Sequence, residues 1–170
     1  MLALARKQKV AKTNAMRELD AAGIAYDVHT YEVEEGVPQR DLGMRIARLV
    51  GADPDSQFKT LVTTTPSGDH VVCCVPVNEE LDLKKAAAAA GEKSLSMMHV
   101  RDLESTCGYV RGACSPIGMK KQFRTLIDET AQLFEYVGVS GGKKGLTLML
   151  APDELAAFVE ATYADIVAER

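Results

Sequence analysis

Two runs rich in β-branched residues, 58–65 and 70–77, stand on either side of Pro66-Ser67-Gly68-Asp69, and this pairing constrains the fold more than any other feature of the chain. Such runs fit a pleated, half-buried surface, and the proline, glycine and aspartate between them reverse the chain, so an antiparallel hairpin is expected. Residues 136–140 and 146–150 repeat the arrangement around Gly141-Gly142-Lys143-Lys144-Gly145. Hairpins preclude an all-parallel sheet. Pro76 has no N–H to give a central ladder, which restricts the second strand to an edge or a strand end.

Helical spacing supplies the other layer. Ala15, Met16, Leu19 and Ala22 line one stripe of 13–22, which Gly23 ends, and Leu42, Ile46, Leu49 and Val50 do the same over 40–50. Between them, 24–33 alternates as a strand, with Ile24, Tyr26 and Val28 on one face and His29 and Tyr31 in the opposite phase. Asp53-Pro54-Asp55 marks a turn or a short helix start, 82–90 a short helix stopped by Gly91, and 96–100 a strand followed by a helical turn through Leu103. Residues 125–128 read as a strand and 108–118 have no period. The clearest helix starts at Pro152, with Leu155, Phe158, Val159, Thr162 and Ile166 at 3.6-residue spacing. Residues 1–12 show no pattern and are expected to form a loose arm, which leaves 13–170 as one α/β domain with a mixed, mainly antiparallel sheet flanked by helices.

At 170 residues there is room for one core, and 46% hydrophobic with 26% charged residues excludes a disordered or collagenous chain. No apolar run reaches the roughly 18 residues of a membrane span, and the apolar start is too short for a signal peptide, so a cytoplasmic protein with no membrane partner is expected. Its four cysteines would then stay reduced. Cys73 and Cys74 are adjacent, Cys107 and Cys114 are seven apart, and His29, His70 and His99 are scattered, a spacing that offers no metal site. The net charge of −4 lies in residues 151–170, whereas 111–147 carries Arg111, Lys120, Lys121, Arg124, Lys143 and Lys144 against Asp128, Glu129 and Glu135. A basic face on an acidic protein suits a polyanion touched at one end, unless these lysines only solvate loops.

Three places attract chemistry. In Gly112-Ala113-Cys114-Ser115-Pro116-Ile117-Gly118 the glycines allow close approach of the backbone and the proline fixes its path, so amide N–H groups could be aimed at an oxyanion; a tight connection with no ligand is the plainer alternative. Ser140 and the Gly141-Gly142 turn can offer a hydroxyl and amides to an anion, or merely close the hairpin. Lys59 interrupts a strand otherwise fit for burial, where it must reach water, pair with an acid or face a cleft. Cys114 and Ser115 have the chemistry of nucleophiles, but no histidine stands near them in sequence to serve as base.

Phe58-Lys59-Thr60-Leu61, Pro76-Val77, Leu81-Asp82-Leu83-Lys84-Lys85, Gly108-Tyr109, residues 112–118 and residues 139–145 occur in one order. Together they resemble the YbaK/EbsC-type Cys-tRNA(Pro) deacylases, relatives of the editing domain of bacterial prolyl-tRNA synthetases, from about Thr13 to the C-terminus. The resemblance implies a mixed, barrel-like sheet and a trans-editing hydrolase without cofactor that removes cysteine from proline tRNA, working with prolyl-tRNA synthetase on the acceptor end. It carries the essential lysine to Lys59, the glycine–proline loop to Gly112, Ala113, Cys114, Ser115 and Pro116, and pocket positions to Tyr31, Ser140, Gly141 and Gly142. Leu42 stands where some members have phenylalanine and Thr147 where some have aspartate. In the implied mechanism the thiol of the bound cysteine attacks its own ester, so the enzyme needs only to position and polarise. An alanine-specific deacylase using water and a non-catalytic module binding tRNA or a synthetase are the alternatives.

Overall fold

The computed structural model of the protein describes residues 10–170; the expected arm lies, through position 9, outside the described residues. In chain order the elements are α1 (Asn14–Ala22), β1 (Asp27–Thr30), α2 (Gln39–Leu49), β2 (Phe58–Thr64), β3 (His70–Pro76), α3 (Leu83–Ala90) and β4 (Ser96–Met97). They continue with α4 (Val100–Cys107), β5 (Arg124–Asp128), β6 (Val137–Ser140), β7 (Leu146–Leu150), α5 (Pro152–Phe158) and β8 (Thr162–Ala164). Local chemistry sets the ends. Thr13 Oγ1 accepts the Met16 N–H at 3.2 Å to open α1, and Asp82 accepts the Lys84 and Lys85 amides to open α3; Gly23 and Gly91 close these helices at positive φ.

Both hairpins form, with Phe58↔Pro76 and Thr64↔His70 bounding the β2–β3 register and Ser140↔Thr147 next to the β6–β7 turn. Pro76 is the last residue of β3, whose body lies at the centre of a five-stranded sheet ordered β4-β2-β3-β5-β8. A second sheet, β1-β7-β6, is tied to the first by one parallel bridge between Gln57 and Gly138. The β3–β5 and β5–β8 pairs are parallel and the other pairs antiparallel. The mixed α/β fold is as expected, but its curvature comes from two sheets meeting at a seam, and no closed barrel is formed among the described residues.

Because β3 is covered on both faces, its alternate residues enter different clusters: Val72 and Cys74 face Met16, Leu19 and Leu148, whereas Val71, Cys73 and Val75 face Ala86, Leu126 and Ile166. Burial pushes both Cys73 and Cys74 up to about 12, so this adjacent pair is packing material. Two expectations differ. β1 covers Asp27–Thr30 rather than 24–33, since only these residues face β7. The last helix stops at Phe158; the chain turns at Glu160, φ 54°, and Thr162–Ala164 adds to β5 as a strand. Val159 and Ile166 are buried as the periodicity demanded, but β-forming Thr162 and Tyr163 follow the open edge of β5 instead of continuing the helix.

Candidate active site

At the seam between the sheets lies a cavity of about 360 Å³. β2 and the residue before it supply Gln57, Phe58, Lys59, Thr60 and Leu61, and the β6–β7 hairpin supplies Gly138, Val139, Ser140, Leu146 and Thr147. Leu42, Gly43 and Ile46 of α2 cover one side, the loop after α4 brings Arg111, Gly112 and Cys114, and Tyr31, Val77 and Glu80 complete the wall. α2 can come this close because it carries a glycine in mid-helix: a Cβ at Gly43 would stand 2.7 Å from Val77 Cβ.

Lys59 lies on β2 with its side chain 28% exposed, and its Nζ is 4.0 Å from Glu80 Oε1. The pairing of β2 with β4 is confined to Thr63 and Thr64, which leaves β2 without a strand partner on that side at Lys59, and the lysine lines the cleft. In the same cavity wall, Gly112 has φ 86°, and a Cβ there would touch Lys144 Cε at 3.4 Å and Leu42 Cδ2 at 3.5 Å. Ser140 Oγ donates to the Ala113 carbonyl at 2.9 Å and accepts the Gly142 N–H at 3.1 Å, clamping the hairpin to this loop. From behind, Tyr109 donates its hydroxyl to the Ile117 carbonyl at 2.6 Å.

Of the expected site residues, Lys59, Gly112, Cys114, Tyr31, Leu42, Ser140 and Thr147 meet at the cavity, whereas Ala113, Ser115, Pro116, Gly141 and Gly142 do not line it. The Ala113 amide is spent on the Val110 carbonyl at 3.0 Å, which takes it out of any row of oxyanion donors. Ser115 is wholly buried and its Oγ accepts the Ile117 N–H at 3.3 Å, so its hydroxyl braces the loop from within. The amides of Gly112 and Cys114 make no hydrogen bond among the described residues. Pro116 borders a small separate hollow, and Gly141 and Gly142 shape the turn behind Ser140. Sequence reasoning missed Gln57, Gly138 and Glu80; the two that shape the wall are legible only as a pair, since a Cβ at Gly138 would overlap the Gln57 amide.

The chemistry available is that of the Lys59 and Arg111 cations, the Glu80 carboxylate and backbone donors. No histidine lines the cavity. Cys114 shares a hydrogen bond with Cys107, which together with burial raises its thiol far above the ordinary range. Burial also raises the Tyr31 phenol, which stays a neutral donor. Of the basic residues of 111–147, Arg124 is bonded to Glu92 at 2.6 Å and Lys120 to the Ser105 carbonyl at 3.3 Å. Arg111 and Lys144, both exposed, border a groove continuous with the cavity through Tyr31, Leu42 and Gly112.

This geometry, one cavity lined by both Lys59 and Gly112, comes with a match to the family described as aminoacyl-tRNA editing domain over residues 41–158, and the chain belongs to that family. Among its relatives is EbsC of Enterococcus faecalis (strain ATCC 700802 / V583), named as a Cys-tRNA(Pro)/Cys-tRNA(Cys) deacylase. The two are 40% identical over 163 residues, 96% of this chain and 98% of that one. A solved structure described as a trans-editing enzyme for prolyl-tRNA synthetase superposes with a TM-score of 0.79 at 22% identity, over 94% of this chain and all 100% of that one. The protein APE2540 does so with a TM-score of 0.81 at 19% identity, over 92% and 100% respectively. At these identities the two structures speak for the fold.

Proposed function

We propose that the chain deacylates Cys-tRNA(Pro), with the thiol of the bound cysteine as nucleophile. The observation that carries this reading is a cavity with Lys59 and the unengaged Gly112 and Cys114 amides at one place and no imidazole on its wall. Such a site can orient and polarise an ester; its one carboxylate, Glu80, is 87% exposed and held 4.0 Å from Lys59 Nζ, poorly placed as a base for water, so a substrate that brings its own nucleophile suits it best. A thiol of pKa near 8.5 is about a few per cent thiolate at neutral pH. Its sulfur adds to the ester carbonyl while the two amides hold the developing oxyanion. The ester C–O bond then breaks, the ribose oxygen leaves and takes a proton, and the resulting thiolactone is opened by water to free cysteine.

Lys59 anchors the terminal adenosine through phosphate or ribose, displacing Glu80, and Arg111 and Lys144 guide the acceptor end along the groove. Tyr31, Ser140, Leu42 and Thr147 bound the amino-acid side. Tight fit is not the main filter: alanine and proline carry no side-chain nucleophile, and the serine hydroxyl is far less ionised. Specificity for the tRNA is supplied by prolyl-tRNA synthetase, acting beside this protein in the cytoplasm where aminoacyl-tRNA is made. The test is a deacylation panel of Cys-, Ala-, Ser- and Pro-tRNA(Pro) with and without the synthetase. Fastest release of cysteine is expected; faster release of alanine, or protection of Cys-tRNA(Pro) instead of cleavage, overturns the reading.

A further inference from the structure

Gln57 is 3% exposed, yet it is part of the cavity wall. Burying a primary amide costs free energy unless both its ends find partners. One end does: Nε2 donates to Ser56 Oγ at 3.2 Å and points at Met149 Sδ at 3.3 Å. The other end does not. Oε1 makes no hydrogen bond among the described residues, and it is not sealed either, since Asn78 Oδ1 is the one enclosed side-chain oxygen there without a partner. Oε1 therefore keeps part of the small surface of a residue that lines the cleft.

That oxygen is held in place. The Gln57 backbone N–H donates to the Pro54 carbonyl at 3.1 Å, its carbonyl accepts the Val77 N–H at 2.8 Å, and its amide lies flat on Gly138, where any side chain would overlap it. Among the side chains of the wall, the one other group that only accepts is the Glu80 carboxylate, 87% exposed and already 4.0 Å from the Lys59 ammonium. Lys59 is a cation, the Ser140 hydroxyl is engaged as both donor and acceptor, and the Tyr31 and Thr147 hydroxyls can turn either way. Oε1 can only accept. An aminoacyl ester carries one group that donors cannot hold, its α-ammonium.

We propose that Gln57 is a specificity-determining residue whose Oε1 accepts a hydrogen bond from the α-ammonium group of the aminoacyl ester; this rests on the deacylase reading above. A neutral acceptor suits this position, because a carboxylate there would compete for Lys59. The site would thereby recognise an ester of a free α-amino acid and neglect one whose amine is missing.

The experiment compares Cys-tRNA(Pro) with 3-mercaptopropionyl-tRNA(Pro), which keeps the thiol and the ester but lacks the amine, each corrected for its rate in buffer. The wild-type chain is expected to accelerate the cysteinyl ester about tenfold or more beyond the other, the worth of a hydrogen bond to a charged group. Gln57→Met should bring that preference close to one, while Gln57→Glu, which keeps an acceptor oxygen, retains it whatever its absolute rate. A wild-type protein that accelerates both esters equally overturns the assignment without needing a variant, as does a Gln57→Met chain that loses rate on both esters in the same proportion. A wild-type protein that accelerates neither removes the deacylase reading itself, and this proposal with it.

Discussion

Lys59 Nζ and Glu80 Oε1 stand 4.0 Å apart at the cavity, the lysine side chain 28% exposed and the glutamate 87%. An ion pair so open to water contributes little to stability, which leaves the ammonium tethered to a partner that a phosphate can displace. Lys59→Ala is therefore expected to slow deacylation of Cys-tRNA(Pro) by about tenfold or more, roughly 1.4 kcal/mol of barrier, with the melting temperature almost unchanged. Glu80→Gln should act the other way. Freed of its competitor, Lys59 binds the tRNA end more tightly, and KM falls by about two- to fivefold at low salt, a gain that vanishes near 1 M salt. A Glu80→Gln chain as slow as Lys59→Ala would mean that the pair itself is needed.

Cys114 is the one thiol on the cavity wall, and its proton is held by Cys107 and by burial. A sulfur in that state is a poor nucleophile. Cys114→Ala and Cys114→Ser should each keep deacylation of Cys-tRNA(Pro) within about threefold of wild type, a barrier change of only a few tenths of a kcal/mol. Single-turnover assays on the two variants, with circular dichroism to confirm the fold, decide the point. Loss of activity in both folded variants would transfer the nucleophile from substrate to protein.

What could be read from the chain was local or paired over short distances. The β2–β3 and β6–β7 hairpins follow from their turns, and α1 and α3 end where Gly23 and Gly91 stand. Lys59, Gly112 and Ser140 could be singled out because each breaks a local pattern. The fate of Ala113 and Ser115 could not, since which amide faces a cleft depends on where Val110 and Ile117 fall around them. The same holds for β8, whose apolar period is satisfied by burial in a strand as well as in a helix. Gln57 and Gly138 lie about eighty residues apart in sequence and acquire meaning only when the two sheets meet.

That meeting point has its own test. Gly138 lies against the Gln57 amide, and a Cβ there would overlap it. Gly138→Ala should cost about 1–3 kcal/mol through overpacking, which for a chain of this size lowers Tm by about 2–12 °C. Because the displaced group lines the cavity, the loss of activity should exceed what the unfolded fraction accounts for when assayed well below Tm. A variant as stable and active as wild type would show that the seam is looser than the packing implies.

The pH dependence separates the source of the nucleophile most directly. Cys73 and Cys74, pushed up to about 12 by burial, and the Tyr31 phenol, also raised by burial, keep their protons through the neutral range. In the Cys107–Cys114 pair the remaining S–H hydrogen-bonds to the first thiolate formed, so one proton leaves more easily and the second is strongly retained. If the attacking sulfur belongs to the substrate, the enzyme-dependent rate on Cys-tRNA(Pro) rises about tenfold per unit from pH 6 and levels off near 8.5, following the thiolate fraction of a free cysteine side chain. Cys114→Ala should reproduce that curve, since the protein pair takes no part in it. Rates measured from pH 5.5 to 9 under single-turnover conditions give the answer: an inflection that moves or disappears in Cys114→Ala assigns the ionisation to the protein and overturns the substrate-thiol mechanism.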